Sequence, residues 1–141
     1  MKLMQNYTVK HNRLTAEEFI ELWPTGWGNP PSLPQTELAM QNSLFRVSVY
    51  DGERVVAMAR LIGDLGLCYY IKDVVVRPEY QKMGLGKLLI NQIINFVKTK
   101  AVKGTSVFIE LCSRPDKVGF YKKLGLSEND GQSMKLRIKA E

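Results

Sequence analysis

At 141 residues, of which 45% are apolar and 24% charged, the chain has the length of one compact domain, residues 1–141, built on a single core. No apolar stretch approaches the ~20 residues a bilayer span needs, and the opening Met1–Tyr7 lacks the apolar run of a signal peptide, so a cytoplasmic protein without a membrane partner is expected. Two distant cysteines, Cys68 and Cys112, and one histidine, His11, give no support to a disulfide framework or a protein-built metal site, while a net charge of +6, spread along the chain, does not choose among polyanionic partners.

In chain order, Tyr7–Lys10 is a candidate short strand. Thr15-Ala16-Glu17-Glu18 has the form of a capping box and predicts a helix over 16–22; Ser32-Leu33-Pro34-Gln35 repeats the signature and predicts a second to about Asn42. The Pro- and Gly-rich stretch between, Pro24 to Pro34, reads as a surface loop. From Phe45 the period becomes two, Asp51-Gly52 supplies a hairpin turn, and a strand returns over 54–61. Gly63-Asp64-Leu65-Gly66 is a second turn, followed by a third strand over 67–76, rich in aromatic and β-branched residues. Leu85, Leu88, Leu89, Ile93, Phe96 and Val97 follow helical spacing and end in Lys98 and Lys100, where positive charge suits a carboxyl terminus. A strand over 106–112, a short helix from Pro115 to Leu124 closed by Gly125, and a last strand marked by Met134, Leu136 and Ile138 complete the order. Cys68 and Cys112 are expected to be buried strand thiols.

The junction after the third strand carries the most chemistry. Val74-Val75-Val76-Arg77-Pro78 runs into Gln81-Lys82-Met83-Gly84-Leu85-Gly86-Lys87-Leu88 at the start of the long helix. A helix start offers unpaired amides and the positive end of a macrodipole, and glycine lets phosphate oxygens approach, so a diphosphate is the natural occupant. A Walker A loop would need Ser or Thr where Leu88 stands, and a dinucleotide fingerprint would need glycine at Leu89.

Gln81-x-x-Gly84-x-Gly86 after an apolar strand resembles motif A of the GCN5-related N-acetyltransferase (GNAT) superfamily, and Phe120-Tyr121-x-Lys123-x-Gly125-Leu126 resembles its later Phe-Tyr-x-Lys-x-Gly-Phe segment. The likeness runs from about Phe45 to the end. It implies an α/β (α+β) fold: a mixed, mostly antiparallel sheet flanked by helices, with strands four and five splayed around the pantetheine arm of acetyl-CoA. It further implies cosubstrate contacts from the backbone of Val74, Val75 and Val76 and from the amides of Gln81, Lys82, Met83, Gly84, Leu85, Gly86, Lys87 and Leu88. Lys82 replaces the family's usual glycine, a small departure because the amide is the donor.

Acyl transfer to an amine needs a neutral nucleophile, polarisation of the thioester carbonyl and a proton for the departing thiolate. An alkylamine of pKa near 10.4 is mostly charged at pH 7, so a carboxylate is sought near it. Asp73, where amino-sugar acetyltransferases of the superfamily carry an acid, is one candidate, although strand alternation sets it on the face opposite Lys72 and Val74. Glu110 is the other, and each has a purely structural alternative. In the resemblance Tyr121 is the general acid that protonates the CoA thiolate. Trp23, Trp27 and Tyr70 are candidates for the acceptor wall, or for ordinary packing. The expected function is acetyl transfer from acetyl-CoA to the primary amine of a small molecule, such as an aralkylamine or polyamine, by direct transfer in a ternary complex. Neither metal nor nucleic acid is expected to take part. A protein lysine or amino-terminal acceptor is the runner-up, a noncatalytic CoA sensor the rival of another class, and the resemblance leaves room for a homodimer, since dimers are frequent among relatives.

Overall fold

A computed structural model describes residues 6–141. The expectation drawn from the opening Met1–Tyr7 falls mostly on residues 1–5, which lie outside that range. The described chain forms two compact units, one ending at Glu110 and the other spanning Leu111–Glu141.

The first unit is a four-stranded antiparallel sheet in the order β1-β2-β3-β4, made of β1 (Tyr7–His11), β2 (Phe45–Asp51), β3 (Arg54–Gly63) and β4 (Tyr69–Val76). Helices cover both faces: α1 (Ala16–Leu22) and α2 (Leu33–Asn42) on one, α3 (Leu85–Lys100) on the other. Both predicted capping boxes form. Thr15 accepts from the Glu18 amide while Glu18 reaches back, and Ser32 and Gln35 do the same, which satisfies donors that a helix start leaves open.

Helix α3 buries Leu85, Leu89, Ile90, Ile93 and Val97 on the sheet. The opposite core joins Leu14, Ala16, Phe19, Leu22 and Met40 to Tyr50, Val55, Met58 and Val75. Alternation along β2 decides this division: Ser48 and Tyr50 face α1, as their bonds show, with Tyr50 donating to Glu18 Oε1 at 2.8 Å.

Three expectations are corrected. The third strand begins at Tyr69 instead of Leu67, because the Asp64 carboxylate accepts from the amides of Gly66, Leu67 and Cys68 at 2.8–2.9 Å and extends the turn. Those three bonds also hold the Asp64 carboxyl below its ordinary value. The turn is tight enough that a Cβ on Gly63 would lie 2.0 Å from the Cys68 carbonyl oxygen, so glycine is required there. Cys68 is therefore exposed, and so is Cys112, against the expectation of buried thiols. The strand expected over 106–112 is reduced to one parallel bridge between Glu110 and Tyr70, for alternating apolar residues make a strand only where a neighbour accepts their hydrogen bonds.

In the second unit, Pro115–Lys117 is a 3-10 turn and only Val118–Lys123 is α-helical (α4). The end matches the expectation: Gly125, at φ 99°, lets its own amide reach Lys122 and the Leu126 amide reach Tyr121. The expected last strand is not formed. Met134, Leu136 and Ile138 are exposed, on chain without ladder pairing among the described residues.

Candidate active site

The junction between β4 and α3 has the geometry of an anion seat. After β4, Pro78–Tyr80 makes a 3-10 turn, and the Gln81 side-chain amide donates to the Val76 carbonyl at 3.0 Å, folding the loop back on the strand end. Lys82 at φ 63° and Gly84 at φ 86° then turn the chain through the left-handed region. Gly84 is the N-cap of α3 and supplies no side-chain cap; its carbonyl accepts from the Leu88 amide at 3.0 Å. By helix geometry the amides of Leu85, Gly86 and Lys87 precede the first intrahelical donor. A Cβ built on Gly84 would meet no atom within 4 Å. The cradle is thus open where an anion would enter, and the helix dipole favours negative charge there.

The strand leading into this turn is irregular. Met58 pairs with Val75 and Arg60 with Lys72, so Ala59 alone faces two residues, Asp73 and Val74. That is a β-bulge, with Asp73 at φ 56°. The expected alternation is corrected: Asp73 does not point away from the face of Lys72. Its Oδ2 accepts from Arg60 Nε at 2.6 Å, and Lys72 is the cross-strand neighbour of Arg60. Arg60 also donates to Ser43 Oγ at 3.3 Å and lies over the Phe19 ring. The pair is largely shielded, with side-chain exposures of 15% and 11%. Sequence reasoning missed Arg60; the signal was a lone cation within the apolar run Val55–Leu61.

Glu110 joins β4 through its backbone. Its amide donates to Tyr69 O and its carbonyl accepts from the Ile71 amide, both at 2.8 Å. Bridge partners share a face, so Glu110 lies beside the half-buried Tyr70. Tyr70 pairs with Ile62 and belongs by alternation to the side of α1 and α2.

Trp23 and Trp27 lie at the end of α1, stacked edge to face at 5.1 Å, with the Trp23 indole donating to Gly28 O at 3.2 Å. Both are half-buried against the core. Arg77 anchors this region by donating to Val55 O at 2.7 Å and to the Glu21 carboxylate.

In the second unit Tyr121 sits on α4 with its ring edge to face with Phe120 at 5.0 Å. Burial pushes its phenol above the ordinary tyrosine value, so the hydroxyl stays a donor well into alkaline pH.

Comparison with known proteins bears on this geometry. The profile of the acetyltransferase (GNAT) family matches residues 12–126. An uncharacterized N-acetyltransferase, ycf52, from Pyropia yezoensis is 35% identical over 111 residues, which is 75% of this chain and 61% of that protein. The chain thus spans about three fifths of the length of that relative. A probable acetyltransferase of unknown function from meticillin-resistant Staphylococcus aureus superposes with a TM-score of 0.81 at 28% identity, over 95% of this chain and 99% of that one. A putative acetyltransferase from Deinococcus radiodurans shares the fold at a TM-score of 0.77 and 20% identity, over 97% and 92% of the two chains.

Proposed function

The chain belongs to the acetyltransferase (GNAT) family of N-acetyltransferases, and from that premise we propose that it moves the acetyl group of acetyl-CoA to the primary amine of a small molecule, by direct transfer in a ternary complex. The observation that carries the proposal is the turn at Gly84. Its left-handed backbone, open Cβ position and succession of helix amides form a seat for a diphosphate, and acetyl-CoA brings one.

In this scheme the amides of Gln81 through Leu88 hold the diphosphate, and the backbone of Val74, Val75 and Val76 aligns the pantetheine arm. The neutral amine attacks the thioester carbon, the C–S bond breaks, Tyr121 gives its proton to the departing thiolate, and the proton shed by the new amide nitrogen returns through water to Tyr121. A main-chain amide near Val75 polarises the carbonyl. Glu110, whose backbone bridges Tyr70, is the carboxylate assigned in this scheme to draw a proton from the incoming ammonium, by itself or through water. Trp23, Trp27 and Tyr70 line the acceptor wall, where aromatic faces suit an aralkylamine or a polyamine through cation–π contacts of about 0.5 to 2 kcal/mol.

Relatives named for their acceptors point both ways. Serotonin N-acetyltransferase 2 of rice is 35% identical over 74 residues, and histone acetyltransferase TAP1 of soybean is 30% identical over 121. The aromatic wall favours the small amine. No helix among the described residues is long and apolar enough to cross a membrane, and the proposal places the enzyme in the cytoplasm, with a homodimer as the natural assembly. The test is thiol release from acetyl-CoA across aralkylamines, polyamines and lysine peptides. Turnover of a small amine supports the proposal, turnover of peptides alone redirects it to proteins, and binding without any turnover replaces it with a CoA sensor.

A further inference from the structure

The Arg60–Asp73 pair has a geometry that suits a mechanical task better than a chemical one. A bulge inserts one residue and so exchanges the faces of everything beyond it. In an unbroken pleat Ile71 and Val75, four apart, would share a face. Instead Val75 is buried beside Met58 in the core of α1 and α2, the side to which Arg60 turns its guanidinium. Val74, Val75 and Val76 present their present groups only while the bulge persists.

The bulge takes its inserted residue into the left-handed region. Asp73 sits at φ 56°, a region that Asp and Asn tolerate better than other residues with a Cβ. What fixes it there is the 2.6 Å bond from Arg60, itself held by Ser43 at the end of α2 and by the Phe19 ring of α1. The carboxylate is shielded, with 11% of its side chain exposed, and a guanidinium already occupies Oδ2. A base must be open to its substrate.

We infer that Arg60 and Asp73, seated on Ser43 and Phe19, form a latch that holds the β4 bulge and thereby the phase of Val74–Val76, and that Asp73 is a positioning residue instead of the general base. For its effect on rate the inference rests on the transferase function proposed above; for its effect on the strand it does not.

Asp73→Asn separates the two roles. Asparagine accepts from Arg60 through its amide oxygen and tolerates positive φ, but cannot take a proton at neutral pH. Alanine offers neither. Expected for Asp73→Asn is a kcat within about threefold of wild type and an unchanged pH profile, because general-base loss would cost roughly 100-fold or more. Asp73→Ala and Arg60→Gln should each lower kcat about tenfold or more, since misplacing groups by an ångström can cost roughly 100-fold. Their acetyl-CoA Kd should rise by less than kcat falls, because the diphosphate seat at the glycine turn is untouched while the contacts of Val74–Val76 with the pantetheine arm are disturbed. Hydrogen exchange at the amides of Val74, Val75 and Val76 should speed up in these two variants but not in Asp73→Asn.

If Asp73→Asn loses about 100-fold in kcat and its acid limb shifts while exchange is unchanged, Asp73 is the base and the inference fails. It also fails if Asp73→Ala and Arg60→Gln match wild type in both rate and exchange. Should Arg60→Gln not fold, the Asn and Ala variants at 73 still decide. Should wild type transfer acetyl to no amine, the proposed function fails alone, and the exchange arm decides the latch.

Discussion

Replacing Gly84 isolates the feature on which the proposed function depends. At φ 86° a residue with a Cβ pays the left-handed penalty, about 1 to 2 kcal/mol. No atom lies within 4 Å of that Cβ, so no clash within the protein adds to it. Gly84→Ala should therefore lower the melting temperature by about 3 to 10 °C, given some 3 to 5 °C per kcal/mol for a chain of this size. Gly84→Asn, which tolerates the same φ, should cost only a few tenths of a kcal/mol. Both side chains project into the space assigned to the diphosphate. Calorimetric titration with CoA should show Kd raised about tenfold or more for both variants, equivalent to roughly 1.4 kcal/mol. The pattern to look for is divergence in stability with convergence in binding. If both bind CoA as tightly as wild type, the turn is not the diphosphate seat. If only Gly84→Ala weakens binding, backbone conformation and not access is what the glycine provides.

Tyr121→Phe should lower kcat by about 100-fold or more while CoA still binds. Because burial raises the Tyr121 phenol above its ordinary value of 10.0, the neutral donor persists as pH rises, and any alkaline loss of kcat that belongs to Tyr121 should lie above about pH 10 in the pH–rate profile. A rate unaffected by the substitution would remove Tyr121 from the mechanism. Ile93, 0% exposed between α3 and the sheet, should cost about 3 kcal/mol on truncation to alanine, seen as a fall of roughly 10 °C in a calorimetric scan. Cys68 and Cys112 are exposed and should both react with a chromogenic thiol reagent in the native protein; a thiol that reacts only after denaturation would place it in a core.

What the sequence determined by itself is local. Thr15 and Ser32 announced their helices because a capping box is satisfied within four residues. Asp51-Gly52 announced its hairpin because positive φ is a property of the turn. The family motif was legible for the same reason: a glycine turn before a helix is a contiguous device, and it lies within the family match over residues 12–126. Tertiary structure decided what depends on partners far along the chain. Whether 106–112 becomes a strand depends on a neighbour that accepts its hydrogen bonds, and only Glu110 finds one. Cys68 left its strand because the Asp64 carboxylate captured the amides ahead of it. The bulge could not be read from alternation, since an inserted residue is defined only against the strand opposite. Asp73 therefore seemed to point one way in the sequence, and Arg60, thirteen residues earlier, turns it the other.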